Sequence, residues 1–432
     1  MDNLYDLQAQ LLALLNTHHS PPTQAITALQ AQVAENDFYG LAWLKAQTDY
    51  PQCYLTLRDN SNTIIAIGEV RRFDTLATAQ QFCSQQQLPL VGGLTFNREC
   101  EFILPRLLLQ QRQGKLYTSL FIDNHADWHS EKTAVLACLK TLPFSTAVTP
   151  LSQRIRLLGQ KADQTQWCQW VNNALHAIEQ GTFSKVVLAN ETVFATDNPI
   201  NAKDFLAESQ DYHHDCYHFL WATKPNQAFV GSTPERLFAR DHNQLYTEAL
   251  AGTVLIGDDH SDNLNLCQQQ GKWLLQDQKN IYENELVAKG ICQNLAPFSQ
   301  QIQVGEIYLR PQRKVQHLQR DIQVELNTNS QDQDCLNAIH PSAAVSGLPR
   351  EAAMAFLKNN ENFDRGWYAG TLGIMQPEQS EFCVTIRSAV IDTDKISVFA
   401  GAGIVAGSIP LLEWQEIERK AAGLVSLLQQ IK

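Results

Sequence analysis

The chain has 432 residues, 44% hydrophobic and 18% charged, which suits a globular protein with one large α/β unit or two ordinary ones. Its formal net charge of −12 argues against a nucleic-acid partner, and an anionic small molecule would need local cations to be held. The start Met1-Asp-Asn-Leu-Tyr-Asp6 is acidic where a secretory signal is basic, and no apolar run is long enough for a bilayer span, so a cytoplasmic chain with no membrane partner is expected.

Residues 4–15 place Leu4, Leu7, Leu11, Leu14 and Leu15 on one helical stripe, which Pro21-Pro22 should end. A second, polar helix is expected to follow, reaching about Glu35. Tyr54–Arg58 and Thr63–Ile67 flank the polar turn Asp59-Asn-Ser-Asn62 and predict a hairpin. A helix is expected over 75–83. Val91-Gly-Gly-Leu-Thr-Phe96 reads as a strand whose glycines allow a bulge or a close backbone approach. Phe102-Ile-Leu-Pro105 and Leu116-Tyr-Thr-Ser-Leu-Phe-Ile122 are further strands. This first third carries no chemical constellation and reads as scaffold. Residues 141–162, with two prolines and little periodicity, form a seam.

Asp163 and Gln166 open a capped helix with Trp167, Val171, Leu175 and Ile178 on its buried stripe. That helix delivers the chain to Lys185-Val-Val-Leu-Ala-Asn190. Val186, Val187 and Leu188 read as a buried strand. A lysine at its mouth is unusual: burial disfavours the ammonium and turns such a lysine into a base near neutral pH. The plainer alternative is a lysine with its head in water. The ten cysteines are scattered singly, in neither C-x-x-C nor zinc spacing, and read as reduced.

Beyond it, Tyr217–Ala222 and Ala228–Gly231 read as strands, followed by the turn Ser232-Thr-Pro-Glu-Arg236. Glu235, held in a proline turn after an apolar strand, suits a general acid with a raised pKa. The alternative is an exposed pair with Arg236. Glu248 is the nearest competitor, but its strand position suggests a structural hydrogen bond. One long helix is expected over 264–294, carrying Lys279-Asn-Ile-Tyr-Glu283. Val398-Phe-Ala-Gly-Ala-Gly-Ile-Val405 leads to a last helix, with Ser408 as cap and Pro410 in the first turn. On that helix Glu413, Glu416 and Lys420 share one face, and Trp414, Ile417, Ala421 and Leu424 share another. Carboxylates from two helices could meet around a hard cation; Glu416 and Lys420 could equally form an ordinary surface pair. Gly401-Ala-Gly403 matches neither a dinucleotide nor a P-loop fingerprint.

Taken together, Lys185-Val-Val-Leu-Ala, Gly231-Ser-Thr-Pro-Glu-Arg236, Glu248-Ala-Leu-Ala-Gly-Thr253, Lys279-x-x-x-Glu283, Val315-Gln-His-Leu318, His340-Pro-Ser-Ala-Ala-Val-Ser-Gly-Leu-Pro349, Gly401-Ala-Gly-Ile-Val405 and Glu413-x-x-Glu416-x-x-x-Lys420 occur in that order. The pattern resembles the chorismate-utilising enzymes, which include isochorismate, salicylate, anthranilate and aminodeoxychorismate synthases. It covers about residues 160–432 densely.

The resemblance implies an α/β (α+β) fold like anthranilate synthase component I, with antiparallel sheets packed face to face and helices outside. Residues 1–150 would be the scaffold portion of the same large fold and 160–432 the chorismate-binding portion. It implies that Glu283 and Glu416 hold Mg²⁺, with Glu413 close by. Gly252 and Thr253 would contact the ring carboxylate of chorismate. Tyr368, Arg387, Gly403 and Lys420 would contact its enolpyruvyl carboxylate, and His317 would line the site. In the family a lysine at the position of Lys185 accompanies water addition, with Glu235 as the acid. Ala251 stands where the aminodeoxychorismate branch needs a lysine, and no glutaminase subunit is expected. The tail and the N-terminal third look most like the menaquinone-pathway isochorismate synthases. Salicylate synthase and siderophore-pathway isochorismate synthase are the alternatives. A non-catalytic paralogue would lack one of Lys185, Glu235, Glu283 and Glu416, and all are present.

Overall fold

The computed structural model describes residues 2–18, 24–35, 37–255, 264–312 and 315–428. Among them lie two antiparallel sheets, one of twelve strands and one of ten. The first sheet takes its outer strands from the first third of the chain, from Ile26–Ala34 through Gln52–Thr56. It then runs through Tyr217–Lys224, Gln227–Thr233, Ser388–Asp392 and Lys395–Val405 to Lys185–Thr196. The second sheet centres on Val315–Leu326, Gln244–Leu255, Arg236–Asp241, Gln379–Val384 and Thr371–Met375, with Leu90–Leu94 beyond.

Alternation along the strands decides which side chains meet. Val186 and Leu188 turn into a core shared by both sheets, where they join Phe219 and Phe229 of the first sheet and Phe238, Phe382 and Phe102 of the second. Each such side chain contributes about 1.5–3 kcal/mol on burial. A second cluster fills the outer face of the first sheet. There Leu7 and Leu11 of the helix Asp2–Asn16 and Phe205 and Leu206 of the helix Ala202–Tyr212 cover Ile65, Leu220 and Val230. Gly93 shows why two glycines stand in the strand Leu90–Leu94: a Cβ there would lie 1.8 Å from the Thr371 carbonyl oxygen of the neighbouring strand.

Several expectations fail in instructive ways. The polar helix expected to reach Glu35 is the strand Ile26–Ala34, paired in register with Lys115–Asp123. Its Ala and Gln residues favour a helix locally, and the cross-strand pairing overrides them. The Pro21-Pro22 stop lies outside the described residues. The seam at 141–162 contains an edge strand, Ile155–Gln160, on the far half of the Lys185 strand. The single helix over 264–294 is two, Leu264–Leu274 and Gln278–Leu295. Asp277 breaks it by accepting from the Asn280 N–H at 2.9 Å, the N-cap role that competes with helix continuation. Ser408 is not the last helix's cap: Ile409 occupies that position, with Pro410 in the first turn, and Ser408 Oγ accepts from the Val405 N–H.

Candidate active site

The chain crosses from one sheet to the other at the turn after Gln227–Thr233 and again before Ser388–Asp392. Glu235 sits on the first crossover and Arg387 on the second. Both project into one cleft, whose walls also include Gly252, Thr253, Glu283, His317, Tyr368, Gly403, Glu416 and Lys420. Of the residues that the resemblance assigned to catalysis, substrate or metal, Lys185 alone is not on the cleft wall. It lies immediately behind it, fully buried.

Lys185 opens its strand near one edge of the first sheet, paired with Val405 on one side and with Leu348 of the two-residue edge strand Gly347–Leu348 on the other. Alternation sends its side chain to the same side as Val187, which lines the cleft. Its Nζ lies 3.0 Å from Glu283 Oε1, close enough for an ion pair but off the angle of a hydrogen bond. The alternative of a lysine with its head in water is excluded. The amine retains hydrogen-bonding capacity inside the protein.

Glu235 is also buried, at 5% exposure. Burial, with Glu248 alongside, lifts its carboxyl from 4.5 to about 8, against the opposing pull of Lys185, Arg387 and Lys420. The alternative pairing with Arg236 does not occur, because Arg236 engages Glu381 at 3.2 Å. Glu248 has the structural role expected of it and a partner that sequence reasoning missed. Arg58, from the first third, forks onto both Glu248 oxygens at 2.6 and 3.0 Å and donates to the Pro234 carbonyl at 2.7 Å. Glu248 in turn accepts from the Arg236 N–H at 3.1 Å. The turn bearing Glu235 is thus clamped on both sides. Nothing in the local sequence around Arg58 signals this; the pairing spans 190 residues.

Three carboxylates converge from two helices, each with a lysine. Glu283 faces Lys185, Glu413 faces Lys279 at 2.7 Å, and Glu416 faces Lys420 at 2.7 Å. Burial raises the Glu413 carboxyl, with Lys279 opposing. Glu416 behaves oppositely: burial works to raise it, but Lys420, joined by Lys279 and Arg419, holds it below its ordinary value. Trp414, Ile417 and Ala421 turn the other face of the last helix into the core, so its acidic face is fixed toward the cleft. Among the described residues no ready-made cluster of three metal-ligating side chains is formed. The donors still suit a hard cation that takes one or two protein carboxylates and keeps waters. Gly403 supports that fit: a Cβ there would lie 2.1 Å from Glu283 Oε1, so this glycine leaves the carboxylate its space.

The remaining groups form a cationic and hydroxyl-bearing wall. A bulge between Leu250 and Thr253, with Gly252 at φ +85°, re-aims Thr253 opposite His317 on the neighbouring strand. Arg387 has φ +50° and Ala369, beside Tyr368, has φ +59°. Such left-handed conformations cost non-glycine residues about 1–2 kcal/mol and here fall at the cleft. Burial pushes the Tyr368 phenol upward, so it remains a donor. Lys420 Nζ also donates to the Gly401 carbonyl at 2.8 Å.

A cleft backed by a buried lysine and lined by a buried carboxyl raised to about 8, paired acids on two helices and a wall of cationic and hydroxyl donors suits an enzyme for a small anionic substrate. The profile of the chorismate binding enzymes matches residues 95–429, and the chain belongs to that family. It is 52% identical over 434 aligned residues to isochorismate synthase MenF of Pasteurella multocida, covering 100% of this chain and 99% of that protein. It also superposes on the menaquinone-specific isochorismate synthase MenF of Escherichia coli with a TM-score of 0.90 at 37% identity, covering 98% of this chain and 100% of that one. Anthranilate synthase component I of Streptococcus pneumoniae shares the fold, with a TM-score of 0.64 at 18% identity over 94% of this chain and 93% of that one. The fold expected from the resemblance is therefore the one observed.

Proposed function

We propose that this chain is a menaquinone-specific isochorismate synthase, an isomerase that converts chorismate to isochorismate. The relationship to the MenF proteins extends over the full chain. The observation that carries the chemistry is the placement of a buried lysine just behind the wall of one cleft and of a buried carboxyl, raised to about 8, on that wall. Lys185 takes a proton from a water that attacks C2 of the ring. Glu235 gives its proton to the hydroxyl leaving C4, and the double bonds shift between the two centres. One water enters and one leaves, so the product is an isomer. The two groups come from different elements, as attack and departure on opposite ring faces require.

Glu283 and Glu416 would hold Mg²⁺, with Glu413 nearby. When bound between them, the ion would supply positive charge to offset the negative charge that develops on the substrate. Gly252 and Thr253 face that carboxylate, and Tyr368, Arg387, Gly403 and Lys420 the enolpyruvyl carboxylate. Among the described residues no helix is long and apolar enough to cross a membrane. We infer a cytoplasmic enzyme that works without a glutaminase subunit.

The test is product identity with purified protein, chorismate and Mg²⁺. Isochorismate should form, without pyruvate release or salicylate fluorescence; sustained pyruvate release would make the protein a salicylate synthase instead. Lys185→Ala should abolish turnover yet keep the fold and Mg²⁺-dependent ligand binding, and undiminished turnover would remove Lys185 as the base.

A further inference from the structure

His317 occupies both of its ring nitrogens within the protein. Arg387 Nη2 lies 2.8 Å from His317 Nε2. A guanidinium has only donors, so this nitrogen accepts and carries no proton. The ring proton therefore sits on Nδ1, which lies 2.8 Å from Thr253 Oγ1. The ring donates to the threonine oxygen, and the hydroxyl keeps its own proton for another acceptor. Among the described residues none accepts it, and Thr253 faces the cleft. Burial, reinforced by Arg387, also pushes His317 well below its ordinary value, consistent with a neutral ring.

We propose that His317 is a positioning residue: held as the Nδ1–H tautomer by Arg387, it makes Thr253 a one-way hydrogen-bond donor to a carboxylate oxygen of the substrate. This rests on the reading of the cleft as a dicarboxylate site. With the opposite tautomer, Thr253 would spend its proton on Nδ1 and turn lone pairs toward an anion. The order Arg387, His317, Thr253 links the two carboxylate-reading regions through one ring. Because both nitrogens are engaged, the ring is not the acid or base of the reaction.

The test begins with ¹⁵N-histidine-labelled, full-length protein without substrate. Long-range proton–nitrogen spectra, with His317 assigned from its absence in His317→Asn, should show a protonated Nδ1 and an unprotonated Nε2. An Nε2–H ring or an imidazolium overturns the proposal. The two amide variants then separate the two bonds. Asparagine places a donor near the Nδ1 position and glutamine an acceptor near Nε2. His317→Gln and Thr253→Val should raise KM for chorismate to a similar extent, roughly 10- to 100-fold for one lost charge-assisted bond. His317→Asn should raise KM less. In a Thr253→Val background the difference between Asn and Gln should vanish; equal effects of Asn and Gln in the wild-type background also overturn the proposal. The spectrum needs no turnover. A wrong tautomer with normal isochorismate formation defeats this inference alone, whereas the expected tautomer without isochorismate defeats the assigned reaction.

Discussion

Glu235→Gln should make the protein more stable while stopping its chemistry. In the unfolded chain the carboxyl has its ordinary value of 4.5, and in the fold, buried and beside Glu248, it is raised to about 8. The folded state thus binds the proton more tightly. The stability gained from that proton is complete below the unfolded value and is lost as pH rises through the folded one. Inside that window each pH unit is worth about 1.4 kcal/mol. Near pH 7 the native protein has given up about 3 kcal/mol relative to acid conditions. A neutral glutamine of the same shape carries no such penalty. In urea titrations the variant should gain nothing near pH 4.5 and about 3 kcal/mol near neutrality, the difference widening with pH. Turnover should fall by roughly 10²–10⁴, the usual worth of a positioned general acid. Wild-type turnover should itself decline as pH rises through about 8. A stability difference that is flat in pH would show that Glu235 is ionised in the fold, and the acid would have to be sought elsewhere.

Two further substitutions probe the surroundings. Gly403→Ala would place a methyl group 2.1 Å from Glu283 Oε1 and 3.1 Å from Lys185 Cε. Both are ends of flexible side chains, so stability should change by less than about 1 kcal/mol. The displaced carboxylate should raise the Mg²⁺ concentration for half-maximal activity roughly 10–100-fold; an unchanged metal response would take Glu283 out of the metal's coordination. Arg58→Met leaves Glu248 buried without its cation and should cost about 3–5 kcal/mol. It should lower kcat more than it raises KM, because Arg58 holds the turn of Glu235 and not the substrate, and Arg58→Lys should recover little of the two-pronged contact. Unaltered kcat in a folded Arg58→Met protein would mean that the turn is held by other contacts.

The catalytic half was legible because its chemistry is compact in sequence. The Lys185 strand, the Glu235 turn and the acidic face of the last helix each announce themselves within a few residues. The fold then brings Glu235, Glu283, Glu416, Lys420 and Arg387 to one cleft. What stayed hidden depends on distant partners. Ile26–Ala34 is a strand only because Lys115–Asp123 lies beside it. The break at 275–277 rests on one aspartate outcompeting helix continuation. Arg58 acquires its purpose from Glu248 and Pro234, and it lies before residues 95–429, the span matched by the family profile. Lys279 stood in a recognised motif, yet its pairing with Glu413 needed the packing of two helices.

In the proposed mechanism Lys185 is a neutral amine, so only two of the three lysine–glutamate couples are balanced and the floor of the cleft keeps one negative charge. A divalent ion entering alone adds two positive charges to that floor, and chorismate entering alone adds two negative ones. Arriving together, they cancel. Such a floor repels the dianion alone and favours it beside a cation, so Mg²⁺ and substrate should each tighten the hold on the other.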